Sequence, residues 1–419
     1  MTSETPAGWL GSRAAALAVL VAALGYFVDI YDLILFGMVR VKSLADLGIT
    51  ATPDQTSTGL FLLNMQMIGM LLGGLLWGML GDRRGRLSVL FGSIATYSLA
   101  NLANGMVTTV DQYAICRLIA GIGLAGELGA GITLVAELMP KHSRGWGTTL
   151  VALVGMCGCL VAAIISGAIP QLFGGVHWRT AYYIGGGLGI ALLGLRVGVV
   201  ESGMFHRVTA HAVTRGNFLA LFTSRARARR YISIILVGVP IWFVIGILVM
   251  FCKELGGALG LNPVPRVPTA LFFCYLGLAF GDVVAGALSQ AWQSRKRAFG
   301  VFLGFSVVAI ALYFTVGPSS HTWFYVCCFV LGLGAGYWAL FVTSASELFG
   351  TNMRATATTT APNFVRGAVV PMSIGFEALA RTQGVVVAAL VVGAVCFALA
   401  AVALLGFEET FGRDLDFVE

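Results

Sequence analysis

Long apolar runs recur along the whole chain, and they constrain its fold more than any other feature. Twelve of them reach about 20 residues, the length an α-helix needs to cross a hydrocarbon core about 30 Å thick. Their approximate limits are 14–39, 57–80, 87–108, 112–139, 146–169, 180–200, 231–252, 268–292, 298–317, 322–348, 355–379 and 384–406. The runs are continuous and do not alternate, so they predict an all-α polytopic membrane protein with twelve spans, numbered 1 to 12 below.

Composition agrees with this class. Hydrophobic residues make up 58% of the 419 residues and charged residues 11%, whereas a soluble domain averages about 25% charged residues. The net charge of +7 could suggest a nucleic-acid partner, but most basic residues fall in alternate intervals between the runs. By the positive-inside rule, this distribution predicts an inner-membrane protein with both termini in the cytoplasm.

The interval between spans 2 and 3 fixes that orientation most clearly. The run from Gly74 ends in Asp82, Arg83, Arg84, Gly85 and Arg86, and a new apolar run starts at Leu87. Four charges in five residues must lie at a water interface. Three of them are arginines, which favours the cytoplasmic side.

Two halves of the chain resemble each other. Span 4 ends in ELMPKHSR, from Glu137 to Arg144, and span 10 ends in ELFGTNMR, from Glu347 to Arg354, 210 residues later. The longest polar interval lies between the halves and is basic. We therefore expect a first six-helix bundle over 1–200, a cytoplasmic linker over 201–230, a second bundle over 231–406 and a cytoplasmic tail over 407–419. Parallel repeats of this kind are a transporter architecture.

Two motifs resemble signatures of the major facilitator superfamily. The first is Gly78-x-x-x-Asp82-Arg83-x-Gly85-Arg86, and the second is Arg117-x-x-x-Gly121-x-Gly123-x-x-Gly126 in span 4. The resemblance implies two pseudo-symmetric bundles that rock about a central site and expose it to each side in turn. In span 1, Asp29-Ile30-Tyr31-Asp32 is similar to the paired-aspartate first helix of the metabolite and aromatic-acid proton symporters in that superfamily.

Three acids are candidates for proton coupling. Asp29 and Asp32 lie about one helical turn apart and project from one face of span 1. An ionised carboxylate at bilayer depth is costly, so it needs a partner, water or a proton. The alternative is a structural pair, or an acid in the outer vestibule. Glu127 lies among glycines in span 4, where it serves either coupling or helix packing.

Two arginines inside spans are candidates for binding a carboxylate substrate, since the guanidinium fork matches that group. Arg117 could instead form a salt bridge to Asp29 or Asp32. Arg366 lies one turn after Asn363, and the sequence suggests Asp282 of span 8 as its partner. The polar candidates for the substrate site are Asn363, Gln66 and Asp282. The glycines of span 2 suit either packing within the chain or homodimerisation.

The superfamily resemblance also implies a gate on the cytoplasmic face. Ion pairs there would hold the outward-open state and break on opening, whereas the alternative is a merely solvated interface. The candidate gate residues are Asp82, Arg83, Arg86, Glu137, Arg144, Glu347 and Arg354.

These features predict a secondary transporter for a small organic anion, coupled to protons. The core of the spans contains four acids and only two arginines, so the excess negative charge needs a proton or a cation. The same excess would also suit a cationic solute as the substrate. The same fold would also serve a sugar or polyol carrier, a drug exporter or a non-transporting membrane sensor. We expect a monomer in the lipid bilayer, with no nucleic-acid partner, cofactor, metal site or enzymatic activity.

Overall fold

Twelve helical spans follow one another in the computed structural model, which describes residues 13–139, 144–195 and 218–413. The spans are Arg13–Asp46 (1), Thr52–Arg84 (2), Arg86–Asn104 (3), Val110–Leu124 with Glu127–Leu138 (4), Arg144–Ile165 (5), Trp178–Leu195 (6), Arg225–Phe243 with the π-helical Val244–Val249 and Cys252–Ala258 (7), Val267–Ala291 (8), Arg295–Thr315 (9), His321–Ala335 with Trp338–Glu347 (10), Arg354–Gly367 with Val369–Gln383 (11) and Val385–Leu405 (12). Short 3₁₀-helices lie at Phe218–Phe222 and Gly317–Ser319. Within these described ranges, eight of the helices are by themselves long and apolar enough to cross a membrane. The predicted all-α fold is confirmed.

Successive spans run in opposite directions, which defines two faces. We call the face with Arg83 and Arg84 the basic face, and the face with Arg40 and Glu254 the opposite face. Of the expected linker, residues up to 217 lie outside the described part of the chain. The last residues of the expected linker already belong to span 7, which begins at Arg225.

The two bundles cross their second and fourth helices in the same way. Span 2 meets span 4 at Gly69 and Gly121, and span 8 meets span 10 at Gly277 and Gly332. A Cβ atom on Gly69 would lie 2.2 Å from a carbonyl oxygen of span 4, and one on Gly277 2.0 Å from a carbonyl oxygen of span 10. Only glycine permits so close an approach, so the repeated crossing confirms the pseudo-symmetry of the bundles.

Spans 4 and 10 are both broken near the middle, next to an Ala-Gly pair. The breaks lie at Ala125–Gly126 and Gly336–Tyr337, so Gly126 and Gly336 occupy equivalent positions 210 residues apart. A break frees backbone groups that lipid cannot hydrogen-bond, so neighbouring side chains must satisfy them. In the first break, the amide of Asn363 in span 11 donates to the freed alanine carbonyl at 2.8 Å. In the second, Asp282 of span 8 accepts a hydrogen bond from the N–H of Ala339 at 2.9 Å.

The glycines of span 2 pack against two neighbours within the chain. Gly69 and Gly73 face span 4, whereas Gly74 and Gly78 face span 11 of the other bundle. The hydroxyl of Thr356 donates to the carbonyl of Gly78 at 3.3 Å. Because Gly74 and Gly78 lie in the half of span 2 nearest the basic face, this contact closes the two bundles on that side.

Candidate functional site

A small cavity lies between the bundles at the centre of the molecule. Its volume is about 10 Å³, which is room for about one water molecule. The lining residues come from both bundles and are Tyr26, Ile30, Met156, Ile241, Trp242, Ile245, Tyr275, Leu278, Trp338 and Arg366. Aromatic and aliphatic side chains dominate, and Arg366 is the charged residue among them.

Arg366 forms an ion pair across the bundle interface at this cavity. Its Nη2 lies 3.6 Å from Oδ2 of Asp29 in span 1, and both side chains are at most 1% exposed. The indole rings of Trp242 and Trp338 lie 5.9 and 5.4 Å from its guanidinium carbon, within the range of cation–π attraction. The expectation that Asp282 pairs with Arg366 was wrong.

Asp282 has another partner because it lies beside a helix break. Its Oδ1 accepts the backbone N–H of Ala339, at the start of the second piece of span 10. A carboxylate is well placed there, since the first N–H groups of a helix have no partner inside it and carry partial positive charge. Asp282 is absent from the cavity lining, although the sequence placed it in the substrate site.

Arg117 and Asp32 lie in the interior of the first bundle, away from the cavity lining. Arg117 donates from Nη2 to Oε1 of Gln66, and its guanidinium carbon lies 5.0 Å from the ring of Phe36. The carboxylate of Asp32 packs on Gly185 of span 6, where a Cβ atom would lie 2.1 Å from Oδ1. Among the described residues, no ion pair within 4 Å joins Arg117 to Asp29 or Asp32, so the salt bridge suggested for Arg117 is not seen.

Asn363 of span 11 and Glu127 of span 4 both lie next to the break in span 4. Asn363 uses its amide nitrogen on the carbonyls of Ala125, at 2.8 Å, and Thr359, at 2.7 Å. Its Oδ1 accepts from Arg366 at 3.5 Å, so it positions the arginine while bridging the bundles. Glu127 begins the second piece of span 4 and is buried. Its role in coupling stays a prediction, as does that of Asp32.

The predicted gate on the basic face is described only in part. The side chains of Asp82, Arg86, Glu137 and Arg144 lie outside what the structure describes, and Arg83 is exposed at the end of span 2. Glu347 pairs with Arg295 of its own bundle at 3.1 Å. Arg354 is buried and donates from Nε to the carbonyl of Ser346 at 3.2 Å. The gate therefore stays a prediction, and Glu347 does not join the bundles here.

Next to that ion pair, Glu409 fastens the end of span 12 to the start of span 9. It accepts hydrogen bonds from the Ser294 hydroxyl at 2.5 Å and from the Arg295 N–H at 2.9 Å. Partial burial acts to raise the pKa of Glu409. The hydrogen bonds from Ser294 and from the N–H groups of Phe411, Arg295 and Lys296 outweigh it, so the pKa lies below its usual range.

Sequence reasoning missed an ion pair that closes the opposite face. Nη2 of Arg40, at the end of span 1, lies 2.7 Å from Oε1 of Glu254 in span 7, and their side chains are only 3% and 7% exposed. The guanidinium also stacks on the ring of Phe251 at 4.4 Å. We call this pair the opposite-face latch. Both residues fall in polar intervals between apolar runs. In the sequence they look like solvated loop charges, and only their burial against each other in the structure sets them apart.

The opposite-face latch should control access to the cavity from that side. Glu254→Gln leaves the Arg40 charge buried without its counter-ion in the closed state, whereas water solvates it once the face opens. We expect a cysteine placed in the cavity by Met156→Cys, in a background without the native cysteines, to react at least about tenfold faster with an impermeant maleimide from the opposite face. A tenfold change in rate corresponds to about 1.4 kcal/mol, which is a fraction of the free-energy cost of breaking a buried ion pair.

The matched control for the latch is Asp46→Asn. Asp46 pairs with Arg179 of its own bundle on the same face, at 3.3 Å and with side chains 44% and 27% exposed, and such exposed pairs contribute little. This variant should react at the parent rate. Equal rates in both variants would show that the latch does not hold the face closed.

Together, the contacts that join the two bundles on both faces and the cavity between them fit a secondary transporter that works by alternating access. A family model described as Major Facilitator Superfamily matches residues 15–368. The chain belongs to the major facilitator superfamily.

Relatives and solved structures agree with this assignment. A putative metabolite transport protein of Haemophilus influenzae is 29% identical over 95% of this chain and 97% of its own length. A 3-(3-hydroxy-phenyl)propionate transporter of Escherichia coli is 26% identical over 70% of this chain and 71% of its own. A solved proton:xylose symporter superposes with a TM-score of 0.74 at 18% identity, over 96% of this chain and 97% of that one. The protein is thus an integral membrane transporter of a small molecule, not an enzyme.

Proposed function

We propose that this transporter takes up small organic carboxylates together with protons. The observation that carries the proposal is the Asp29–Arg366 ion pair, which joins the bundles and whose arginine lines the cavity. The planar fork of an arginine fits an internal carboxylate and a substrate carboxylate equally well. Arg366 is therefore able to exchange one for the other.

Such an exchange would couple substrate to proton. When a substrate carboxylate takes over Arg366, Asp29 is left buried without its counter-ion. An unpaired buried carboxylate is costly, and binding a proton removes that cost. Proton and substrate thus each favour the binding of the other, as linkage requires. Release of the substrate reverses both steps.

The walls of the cavity favour a flat, unsaturated substrate body. Trp242 and Trp338 flank Arg366, and Tyr26 and Tyr275 complete the lining. One relative is named for 3-(3-hydroxy-phenyl)propionate, an aromatic carboxylate. We infer that the carboxylate binds Arg366 while the ring packs between the indoles, once the bundles separate enough to enlarge the cavity.

We also infer the orientation and the working unit. The basic face would lie in the cytoplasm, with both termini, because its arginines follow the positive-inside rule. This places the protein in the cytoplasmic membrane, with residues 1–200 and 231–406 as its two moving bundles and 201–230 as the linker. A monomer suffices, since both bundles and the cavity between them come from one chain.

A thermal-shift screen of the purified protein tests the substrate class. The matched probes are 3-phenylpropionate, its uncharged amide 3-phenylpropionamide, the amine 2-phenylethylamine and D-xylose. We expect 3-phenylpropionate to raise the melting temperature in the wild type, and to raise it more at low pH because proton and substrate bind together. Stabilisation by the amine or by xylose, without any by the carboxylate, would contradict the proposal.

A further inference from the structure

Asp282 is a buried carboxylate that the exchange at Arg366 does not use. It lies in span 8 and is 1% exposed. No ion pair within 4 Å joins it to a basic side chain in the described ranges. Its contact is instead with the backbone: Oδ1 lies 2.9 Å from the nitrogen of Ala339, and the N–H of Trp338 also faces the carboxylate.

This contact fastens the broken span 10 to span 8. Ala339 lies in the first turn of the helix Trp338–Glu347, where backbone N–H groups have no partner within the helix. The two spans approach closely one residue before Asp282, since a Cβ atom on Gly336 would lie 2.4 Å from the Cα of Gly281. The start of the second piece is therefore held by a side chain of span 8 and by direct backbone packing.

The first residue of that piece is Trp338, whose indole lines the cavity. The ring stacks on Phe341 with centroids 5.2 Å apart and lies 5.4 Å from the guanidinium carbon of Arg366. Because Trp338 is the first residue of this helix, the position of the first helical turn fixes the position of its indole ring. The hydrogen bond from Ala339 to Asp282 thus determines where one wall of the cavity stands.

We propose that Asp282 is a positioning residue for substrate binding: as a hydrogen-bond acceptor it anchors the start of the second piece of span 10, and so places the Trp338 indole against the ring of the substrate. The part that concerns the substrate rests on the proposed function. This role needs an acceptor oxygen and no exchange of protons. Asparagine should therefore replace Asp282, and an apolar residue should not.

Fluorine spectra test the positioning without any ligand. Protein labelled with 5-fluorotryptophan gives one resonance per tryptophan, and Trp338→Phe assigns the signal of interest. We expect Asp282→Asn to leave that resonance in place and Asp282→Leu, of similar size but without an acceptor, to shift or broaden it. An unmoved resonance in the leucine variant would overturn the proposal, as would equal shifts in both. If the leucine variant does not fold, Asp282→Ala gives the same comparison.

Transport kinetics test the consequence for the substrate, with 3-phenylpropionate and its saturated counterpart 3-cyclohexylpropionate as probes. Asp282→Leu should raise KM for the aromatic probe about tenfold, the size of one aromatic contact, and raise it less for the saturated one. Asp282→Asn should stay within about twofold of the wild type and keep accumulation driven by a pH gradient. Loss of that accumulation in the asparagine variant would make Asp282 a proton carrier and overturn the proposal. If the wild type binds neither probe, the proposed function fails, while the fluorine spectra still decide the positioning role.

Discussion

Asp29→Asn should abolish the accumulation of 3-phenylpropionate driven by a pH gradient and leave exchange of the substrate across the membrane intact. Asparagine resembles the protonated aspartate, so the variant binds substrate at Arg366 without taking up a proton. For one proton per substrate, a gradient of one pH unit supports about tenfold accumulation in the wild type, since one unit is worth about 1.4 kcal/mol. In the variant this ratio should fall to about one. Labelled substrate in proteoliposomes with an imposed pH gradient measures both activities.

The control for this variant is Asp111→Asn, which removes an exposed acid from the first turn of span 4. It should accumulate substrate as the wild type does. Accumulation by Asp29→Asn at the wild-type level would remove Asp29 from the coupling mechanism. Loss of both accumulation and exchange would instead place Asp29 in substrate binding.

Arg366→Ala should both abolish binding of the carboxylate and destabilise the protein. Removing one partner of a buried ion pair typically costs about 3–5 kcal/mol, because the other charge stays buried without compensation. Asp29 would be that charge, since its ion pair with Arg366 is fully buried. Thermal unfolding in detergent and the thermal-shift response to 3-phenylpropionate measure the two effects separately.

The double variant Asp29→Asn with Arg366→Ala distinguishes the two roles of the arginine. It removes the stranded carboxylate, so most of the lost thermal stability should return, whereas binding of the substrate should not. A double variant no more stable than Arg366→Ala would show that the two residues do not interact, contrary to the coupling that contact within a pair produces. Recovered binding would show that Arg366 is not the anchor for the carboxylate.

The sequence predicted the helices well and their partners poorly. The apolar runs of the sequence coincide with all twelve helical spans, because burial in lipid requires long apolar segments. The Asp29–Arg366 pair joins residues on the first and eleventh spans, and spacing along a helix carries no information about contacts between helices so distant in sequence. Asp282 is an acid near the middle of a span in the same bundle as Arg366, whereas the actual partner belongs to the other bundle.

Sequence analysis did not predict the helix breaks or the opposite-face latch, and the reasons differ. The breaks at Ala125–Gly126 and Gly336–Tyr337 fall inside apolar runs, so hydropathy does not separate the two helices on either side of each break. A comparison of the two halves nevertheless indicates them, because Gly126 and Gly336 are 210 residues apart, the same offset as between the two repeats. Arg40 and Glu254 were indistinguishable from solvated loop charges, since burial by another bundle leaves no trace in the local sequence.

The two helix breaks give the transport cycle an intrinsic asymmetry. The break in span 10 is satisfied within its own bundle, so it is unaffected when the bundles move apart. The break in span 4 depends on Asn363 of the other bundle, and opening the basic face removes that hydrogen bond. One such bond contributes about 0.5–1.5 kcal/mol, which by itself would shift the resting population about 2- to 13-fold towards molecules closed on the basic face. The opposite-face latch acts against this bias, so contacts between the bundles hold the empty carrier on both faces.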